Sequence, residues 1–238
     1  MIDSITKVEI QHVTRHCGNA VLGAVPYSEV YLMDCVAGLR HYPDNYFDLA
    51  VVDPPYGIEI NMNMGRKKGQ KKRHNEKDWD NSIPEDIYFN ELFRVSKNQI
   101  IWGANHFIER INKNSSCWLV WDKNKVGGYF ADAELAWTSF DTAVRTFKWT
   151  WHGFIQQNMG NKQERIHPTE KPIQLYQWIL QNYAKEGDLI LDTHLGSASI
   201  AIACHREKFS LVGCELVEEY YNAGKKRLEN EQMQPTLF

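Results

Sequence analysis

The chain lacks any apolar run long enough to cross a bilayer, which takes about 20 consecutive apolar residues. Its first ten residues, Met1 to Ile10, carry charges where a secretory leader needs an apolar block. Cysteine is scarce: Cys17, Cys35, Cys117, Cys204 and Cys214 are widely spread, with no CxxC pair. An odd, dispersed set excludes a disulfide framework and reads as reduced thiols, so a cytoplasmic protein is expected. His12, His16 and Cys17 lie close together, but no fourth ligand of matching spacing follows and a structural zinc takes four. No metal is expected. There is no internal repeat, and the net charge of -3 gives no global signature of a polyanion binder.

What charge there is lies unevenly. Between Gly65 and Lys77 stand Arg66, Lys67, Lys68, Lys71, Lys72, Arg73 and Lys77, opposed only by Glu76. That segment carries +6 and leaves -9 on the remainder, a short basic arm on an acidic body that can serve as a handle for a polyanion. It falls in Gly57 to Ser82, a polar, glycine-containing stretch too long for an ordinary loop and read as a functional or disordered insertion. A length of 238 residues fits one catalytic domain, residues 1–238, with the insertion at 57–82 and a flexible tail at 231–238.

Elsewhere short β-branched or aromatic runs alternate with amphipathic stretches. Strands are expected at Val30 to Met33, Leu49 to Val52, Gln99 to Trp102, Cys117 to Trp121, Glu134 to Phe140, Leu189 to Leu191 and Leu211 to Cys214. Helices are expected near Pro84 to Val95, Asn105 to Ile111, Pro172 to Ala184, Ser197 to His205 and Val217 to Asn230, with Pro84 and Pro172 in first turns. The alternation predicts an α/β fold, a doubly wound sheet of seven strands. Trp102, Trp118 and Trp121 fall on predicted strands and read as core. Phe147 to Arg165 departs from this rhythm, and its aromatics suit either a core or a ligand face.

One tetrapeptide defines a site shape. Asp53-Pro54-Pro55-Tyr56 directly follows the apolar run Leu49-Ala50-Val51-Val52. Proline has no N–H and biases its predecessor toward extended backbone, so the strand stops pairing there. The sheet edge is left with a carboxylate, unclaimed carbonyls and an aromatic ring. Together they suit a flat heterocycle bearing an exocyclic amine: acid and carbonyl accept its two N–H bonds and the ring stacks on it.

A second constellation lies near the C-terminus. Leu189-Ile190-Leu191-Asp192 runs into Thr193-His194-Leu195-Gly196-Ser197-Ala198-Ser199 and an apolar helix. A strand turning through small residues into a helix lets backbone approach a ligand. The next strand ends in Glu215, about 20 residues on, where dinucleotide-binding folds place an acid that accepts from ribose hydroxyls; a solvated charge opening the next helix is the alternative.

These blocks together resemble the S-adenosylmethionine-dependent DNA amino-methyltransferases of the adenine-N6 or cytosine-N4 type, in the permuted order called the β class. The tetrapeptide comes first and the glycine turn last, with His167-Pro168-Thr169-Glu170-Lys171-Pro172 between them, a block typical of that family; Met33-Asp34-Cys35 reads as its opening. The resemblance implies a Rossmann-like methyltransferase sheet that takes S-adenosylmethionine as cofactor and double-stranded DNA as partner. It implies that Asp53 and the Pro54 carbonyl accept the amine N–H groups, with Tyr56 stacking on a flipped base and Pro55 completing the motif. It places the cofactor's methionine end near Asp53, Asp192, Gly196 and Ser197, its ribose near Glu215 and its adenine near Asp34, with His194 covering it. Asp34 reads alternatively as a strand-end turn acid. Thr169 and Lys171 meet the cofactor carboxylate or hold the strand junction. The basic residues Arg66, Lys67, Lys68, Lys71, Lys72 and Arg73 would contact phosphates. Thr193, His194 and Ala198 stand where the family usually has Pro, Phe and its last Gly.

An Asp-headed tetrapeptide resembles the adenine enzymes, so adenine N6 is expected over cytosine N4. An RNA methyltransferase and a non-catalytic nucleic-acid-binding module are the other readings. The tail Gln234-Pro235-Thr236-Leu237-Phe238 is similar to peptides that dock on the replication sliding clamp, and folding onto its own domain is the alternative. The resemblance also allows a homodimer.

Overall fold

The computed structural model describes residues 26–58, 82–125, 127, 131–152, 155–162, 166–167 and 169–234. The arm from Arg66 to Arg73, the His12, His16 and Cys17 group, Pro168 and tail residues 235–238 lie outside them.

The centre of the molecule is a sheet of eight strands. In chain order they are β1 (Ser28–Leu32), β2 (Phe47–Val52), β3 (Ser96–Trp102), β4 (Trp118–Asp122), β5 (Ala133–Thr138), β6 (Arg145–Lys148), then β9 (Leu189–Asp192) and β10 (Ser210–Glu215); β7 (Trp151–His152) and β8 (Ile155–Gln156) form a separate hairpin. Across the sheet the order is β1-β10-β9-β2-β3-β5-β4-β6. The first five run parallel, and β5 is antiparallel to both of its neighbours.

The sequence of β2 explains its central place. A parallel strand covered on both faces needs apolar residues on both, and in Phe47–Val52 only Asp48 is not buried. Leu49 and Val51 join one core, Ala50 and Val52 the other, as the alternation of side chains across a strand requires. Asp48 sits at the strand's entrance, where its carboxylate accepts from Lys97 Nζ at 2.6 Å and from the Leu189 backbone N–H at 2.9 Å, tying β2 to β3 and β9.

One face carries α4 (Ile173–Tyr183), α5 (Ser199–Glu207) and α6 (Glu218–Gln232), with Ile179, Leu180, Ile200, Ile202 and Leu228 in its core. The other carries α1 (Cys35–Leu39), α2 (Asp86–Val95) and α3 (Ile108–Ile111), with Leu39, Phe89, Leu92 and Ile111. The doubly wound α/β expectation therefore holds. Trp102 and Trp121 are buried in the core as predicted, and Trp118 is half-buried. From β9 the chain returns through α5 to β10, whereas from β2 it returns through α2 to β3 on the opposite face. Connections diverging from two adjacent parallel strands open a crevice at their carboxyl ends.

Some expectations are corrected. β6 is an eighth strand; it is a short, mostly exposed edge element with only Phe147 turned toward the core, so its sequence shows no apolar alternation. Helix α1 is five residues long, below the reach of any periodicity. The helix expected at Asn105 to Ile111 is split into a 3₁₀ turn, Ala104–His106, and α3, because Phe107 leaves helical backbone (φ -144°, ψ 33°) to bury its ring. Pro84 precedes the Glu85 cap of α2, and Pro172 is itself the N-cap of α4 with ψ 145°; neither is in a first turn. An N-cap is extended and its N–H is not needed by the helix, so proline fits there equally well. Among the described residues no helix is long and apolar enough to cross a membrane.

Candidate active site

Four neighbouring parallel strands each deliver an acid at or just beyond the carboxyl end: Asp34 after β1, Glu215 on β10, Asp192 on β9 and Asp53 after β2. Adjacent strands lie about 4.8 Å apart, so the row forms an acidic rim along the crevice.

At one end is the tetrapeptide. Pro54 is buried, Asp53 and Tyr56 half-buried. The Tyr56 hydroxyl donates to Asp53 Oδ1 at 2.7 Å, and its ring stacks on His106 with centroids 5.1 Å apart and planes 15° from parallel. Burial, then the Asp53 charge, pushes the Tyr56 phenol well above its ordinary range, so it remains a donor. The turn after β3 makes room for this ring. Gly103 has φ +68°, its N–H donates to Leu135 O at 2.9 Å, and a Cβ there would stand 2.0 Å from Tyr56 Cε1.

Beneath the tetrapeptide lies Lys171, whose side chain is 2% exposed. Its ammonium is paired with Asp53 Oδ2, donates to the Tyr56 hydroxyl at 3.2 Å, and lies 3.2 Å from Glu134 Oε2. The other Glu134 oxygen pairs with Lys123. Burial opposes the charge on Lys171, but Asp53 and Glu134 outweigh it and raise the ammonium above its usual range. Glu134 likewise resists burial because Lys171 and Lys123 hold its carboxyl down at about 2. The result is a chain of alternating charge, Lys123, Glu134, Lys171, Asp53, built from β4–β5, α4's approach and the tip of β2.

The glycine turn is the other half. Asp192 is 3% exposed and accepts the His194 backbone N–H at 3.0 Å through Oδ1. Burial, with Asp53 and Glu215 adding to it, pushes its carboxyl up to about 8. His194 lies on the floor between Thr193 Oγ1 (2.9 Å from Nδ1), Cys35 Sγ (3.9 Å from Nε2) and the Tyr88 ring, and burial lowers it to about 4, a neutral imidazole. Gly196 has φ +51° and donates its N–H to Glu215 Oε2, while Val217 N–H donates to Oε1, both at 2.8 Å. Ser197 and Ser199 hydroxyls pair at 2.9 Å. Asp34 caps α1, Oδ1 accepting from Ala37 N–H at 2.8 Å.

The His167–Pro172 block clasps both halves. His167 packs edge-on to Tyr220 and lines Gly196, and Thr169 turns back on His167 Nδ1 at 3.1 Å. Glu170 is buried, accepts Ile166 N–H and pairs with Arg227, which in turn donates to Ser197 O and Ser199 Oγ. Lys171 then reaches Asp53, so at this junction the block joins the two sites.

A family model described as DNA methylase, of the N6/N4 methyltransferase type, matches residues 86–226. The chain belongs to the N6/N4 DNA methyltransferase family. YubD of Escherichia coli (strain K12) is 24% identical over 212 residues, 82% of this chain and 87% of that one. M1.HpyAVI, solved as a complex with SAM, is 19% identical and covers 84% of this chain and 98% of its own with a TM-score of 0.54. The cytosine-N4-specific PvuII DNA methyltransferase is 12% identical, with coverages of 90% and 89% and a TM-score of 0.57. At such identities the solved relatives show a shared fold.

Of the residues singled out from sequence, Asp53, Tyr56, Asp192, His194, Gly196, Glu215 and Asp34 gather along the crevice, while Thr169 faces the clasp rather than the row of acids. Sequence reading of this N6/N4 methyltransferase missed Gly103, His106, Lys123, Glu134 and Arg227. Glu134 was visible only as the charged residue in an otherwise uncharged strand, and Gly103 as a glycine directly after β3.

Proposed function

We propose that this N6/N4 methyltransferase transfers a methyl group from S-adenosylmethionine to the exocyclic N6 amine of an adenine flipped out of double-stranded DNA. The observation that carries the reading is Asp53 standing at the tip of the strand adjacent to Asp192 and the Gly196 turn, the two joined by a block whose His167 lines Gly196 and whose Lys171 pairs with Asp53.

The residues present suit that cofactor. Three acids on successive strand tips span about 10 Å, two inter-strand steps, which matches a ligand with an ammonium at one end and a nucleoside at the other. Asp192 is a buried carboxylate whose charge is disfavoured until a cation joins it. Gly196 presents bare backbone beside it. S-adenosylmethionine supplies an already activated methyl on a neutral leaving group, so little acid-base help is required. Asp192 would hold the cationic end, Glu215 the ribose and Asp34 the adenine edge.

The harder task falls to the base-binding half. An aromatic amine has its lone pair delocalised into the ring, and hydrogen bonds that improve as nitrogen becomes tetrahedral lower the barrier selectively. Asp53 and the Pro54 carbonyl take those bonds, and Tyr56 supplies a stacking face. Extrusion of a paired base costs a few kcal/mol, which stacking and phosphate contacts offset. Arg66, Lys67, Lys68, Lys71, Lys72 and Arg73 are the phosphate contacts in this reading, and neutralising the four lysines should flatten the salt dependence of DNA binding. Adenine is favoured over cytosine on the Asp-headed motif.

The test is incubation with labelled cofactor and mixed DNA, digested to nucleosides. Label in N6-methyladenine supports the reading. Label in N4-methylcytosine moves the target base, and no label removes the activity. Asp53→Ala should abolish transfer and spare cofactor binding.

A further inference from the structure

The distribution of partners around Lys171 is uneven in a way that resting stability does not require. The ammonium is committed to Asp53 Oδ2 and to the Tyr56 hydroxyl. Glu134 Oε2 is held more loosely, at an ion-pair distance of 3.2 Å, and this atom is sealed from solvent although the side chain is 22% exposed. A buried carboxylate oxygen reached only by this looser contact has room for a closer one. Meanwhile both Asp53 oxygens are engaged, Oδ1 by Tyr56 and Oδ2 by Lys171. An acid in that state is a poor acceptor for an incoming amine, because the adjacent ammonium cancels the negative charge that should grow in value as the amine becomes cationic.

Resting on the base-methylation reading, we propose that Glu134 is a positioning residue, the second seat of the Lys171 ammonium: when the target amine takes Asp53 Oδ2, Lys171 tilts from Asp53 to Glu134 and leaves Asp53 its charge. The move is short, since both carboxylates already lie within ion-pair reach of the same nitrogen. It keeps the buried ammonium paired throughout, which an unaccompanied departure would not. Lys123 sets the second seat: its pairing with Oε1 fixes the Glu134 carboxylate so that Oε2 faces Lys171. With its carboxyl held down at about 2, Glu134 remains an anion and acts by charge and place, not by taking a proton.

The test compares full-length wild type, Glu134→Gln and Glu134→Asp in single-turnover methyl transfer to DNA, with cofactor and DNA affinities measured separately. Glu134→Gln is expected to slow transfer by about tenfold or more while cofactor affinity stays within about twofold, the pattern of an interaction realised only on the way to the transition state. Glu134→Asp, which retains the charge, is expected to recover most of that loss. Equal rates for wild type and Glu134→Gln, or a Glu134→Asp as slow as Glu134→Gln, overturn the inference. Should Glu134→Gln not fold, a structure of the wild-type chain with DNA decides: Lys171 Nζ hydrogen-bonded to Glu134 Oε2 supports it, and Lys171 still on Asp53 Oδ2 overturns it. A wild-type chain that methylates no DNA at all overturns the base-methylation reading instead, and this inference falls with it.

Discussion

Gly103 and Tyr56 are in contact so close that no other residue type fits beneath the ring: a Cβ at Gly103 would stand 2.0 Å from Cε1 and 2.4 Å from Cδ1 and Cζ. The turn after β3 is thus the mould for the stacking face of the tetrapeptide on β2. Its backbone, at φ +68°, is one that alanine adopts only at a cost of about 1–2 kcal/mol. Gly103→Ala should displace Tyr56 and lower methyl transfer by about 100-fold, the scale of a misplacement near 1 Å, while leaving the acids on β9 and β10 in place. Calorimetry with S-adenosylmethionine alongside transfer kinetics checks this. Transfer at the wild-type rate would show that the Tyr56 position is irrelevant to the reaction.

Lys171 holds its ammonium between two carboxylates, Asp53 and Glu134, with its own side chain 2% exposed. Removing one partner of a buried ion pair leaves the other charge uncompensated and costs about 3–5 kcal/mol. Lys171→Met should therefore lower urea stability by about that amount at neutral pH, with Asp53 stripped of its ammonium while Glu134 is still held by Lys123. Adding Asp53→Asn to Lys171→Met should restore part of the loss, because it removes the stranded anion. A double variant less stable than Lys171→Met alone would refute the electrostatic account.

Much of this was legible in the sequence, for a physical reason. The seven predicted strands are apolar enough to announce themselves, and Asp53-Pro54-Pro55-Tyr56 and the Gly196 turn are local blocks that can be read from their own residue types, whereas His167–Pro172 was legible through its resemblance to the family. What stayed hidden depends on distance along the chain. Glu134 is 37 residues from Lys171, and Lys171 is 118 from Asp53, so no spacing rule joins them. Gly103 meets Tyr56 only because β2 and β3 pair in parallel register, Val52 beside Ile101. β6 was missed because an exposed edge strand needs no alternating pattern.

Asp192 carries the pH signature of the free protein. Its folded carboxyl, at about 8, lies above the ordinary value of 3.8. Between those values the unfolded chain binds fewer protons at this position than the folded one, so the contribution of Asp192 to stability is fully present at low pH and is lost as pH rises toward 8. At pH 7 the free protein thus holds a proton on Asp192, which a cationic ligand beside it would expel. Binding of S-adenosylmethionine at pH 7 should release up to about one proton, seen as an apparent enthalpy that differs between phosphate and Tris buffers by their ionisation heats. Asp192→Asn should remove the buffer dependence and weaken binding, and should raise ligand-free stability at pH 8 more than at pH 5. Buffer-independent enthalpy in the wild type would mean that Asp192 is already ionised or lies away from the cation.

Ala198 occupies the N-cap of α5 at φ +59°, ψ 23°, where the resembled family usually has glycine. The substitution therefore costs more than the added methyl: the left-handed conformation penalises a Cβ by about 1–2 kcal/mol, whereas glycine there loses only its extra unfolded-state entropy, about 0.4–1 kcal/mol. The turn tolerates it because α6 offers Gly224 opposite, where a Cβ would come within 3.2 Å of Ala198 Cβ and 3.1 Å of Gly196 O. Ala198→Gly should accordingly stabilise the chain by about 0.5–1 kcal/mol in urea, the difference between those two terms, with cofactor affinity unchanged or tighter. Gly224→Ala should do the reverse, pushing α6 off the turn, loosening the Arg227 contact with Ser197 O and weakening S-adenosylmethionine binding. If Gly224→Ala bound the cofactor as well as wild type, α6 would be packing beside the turn without shaping it, and the glycine turn would have to owe its form to His167 and Glu215 alone.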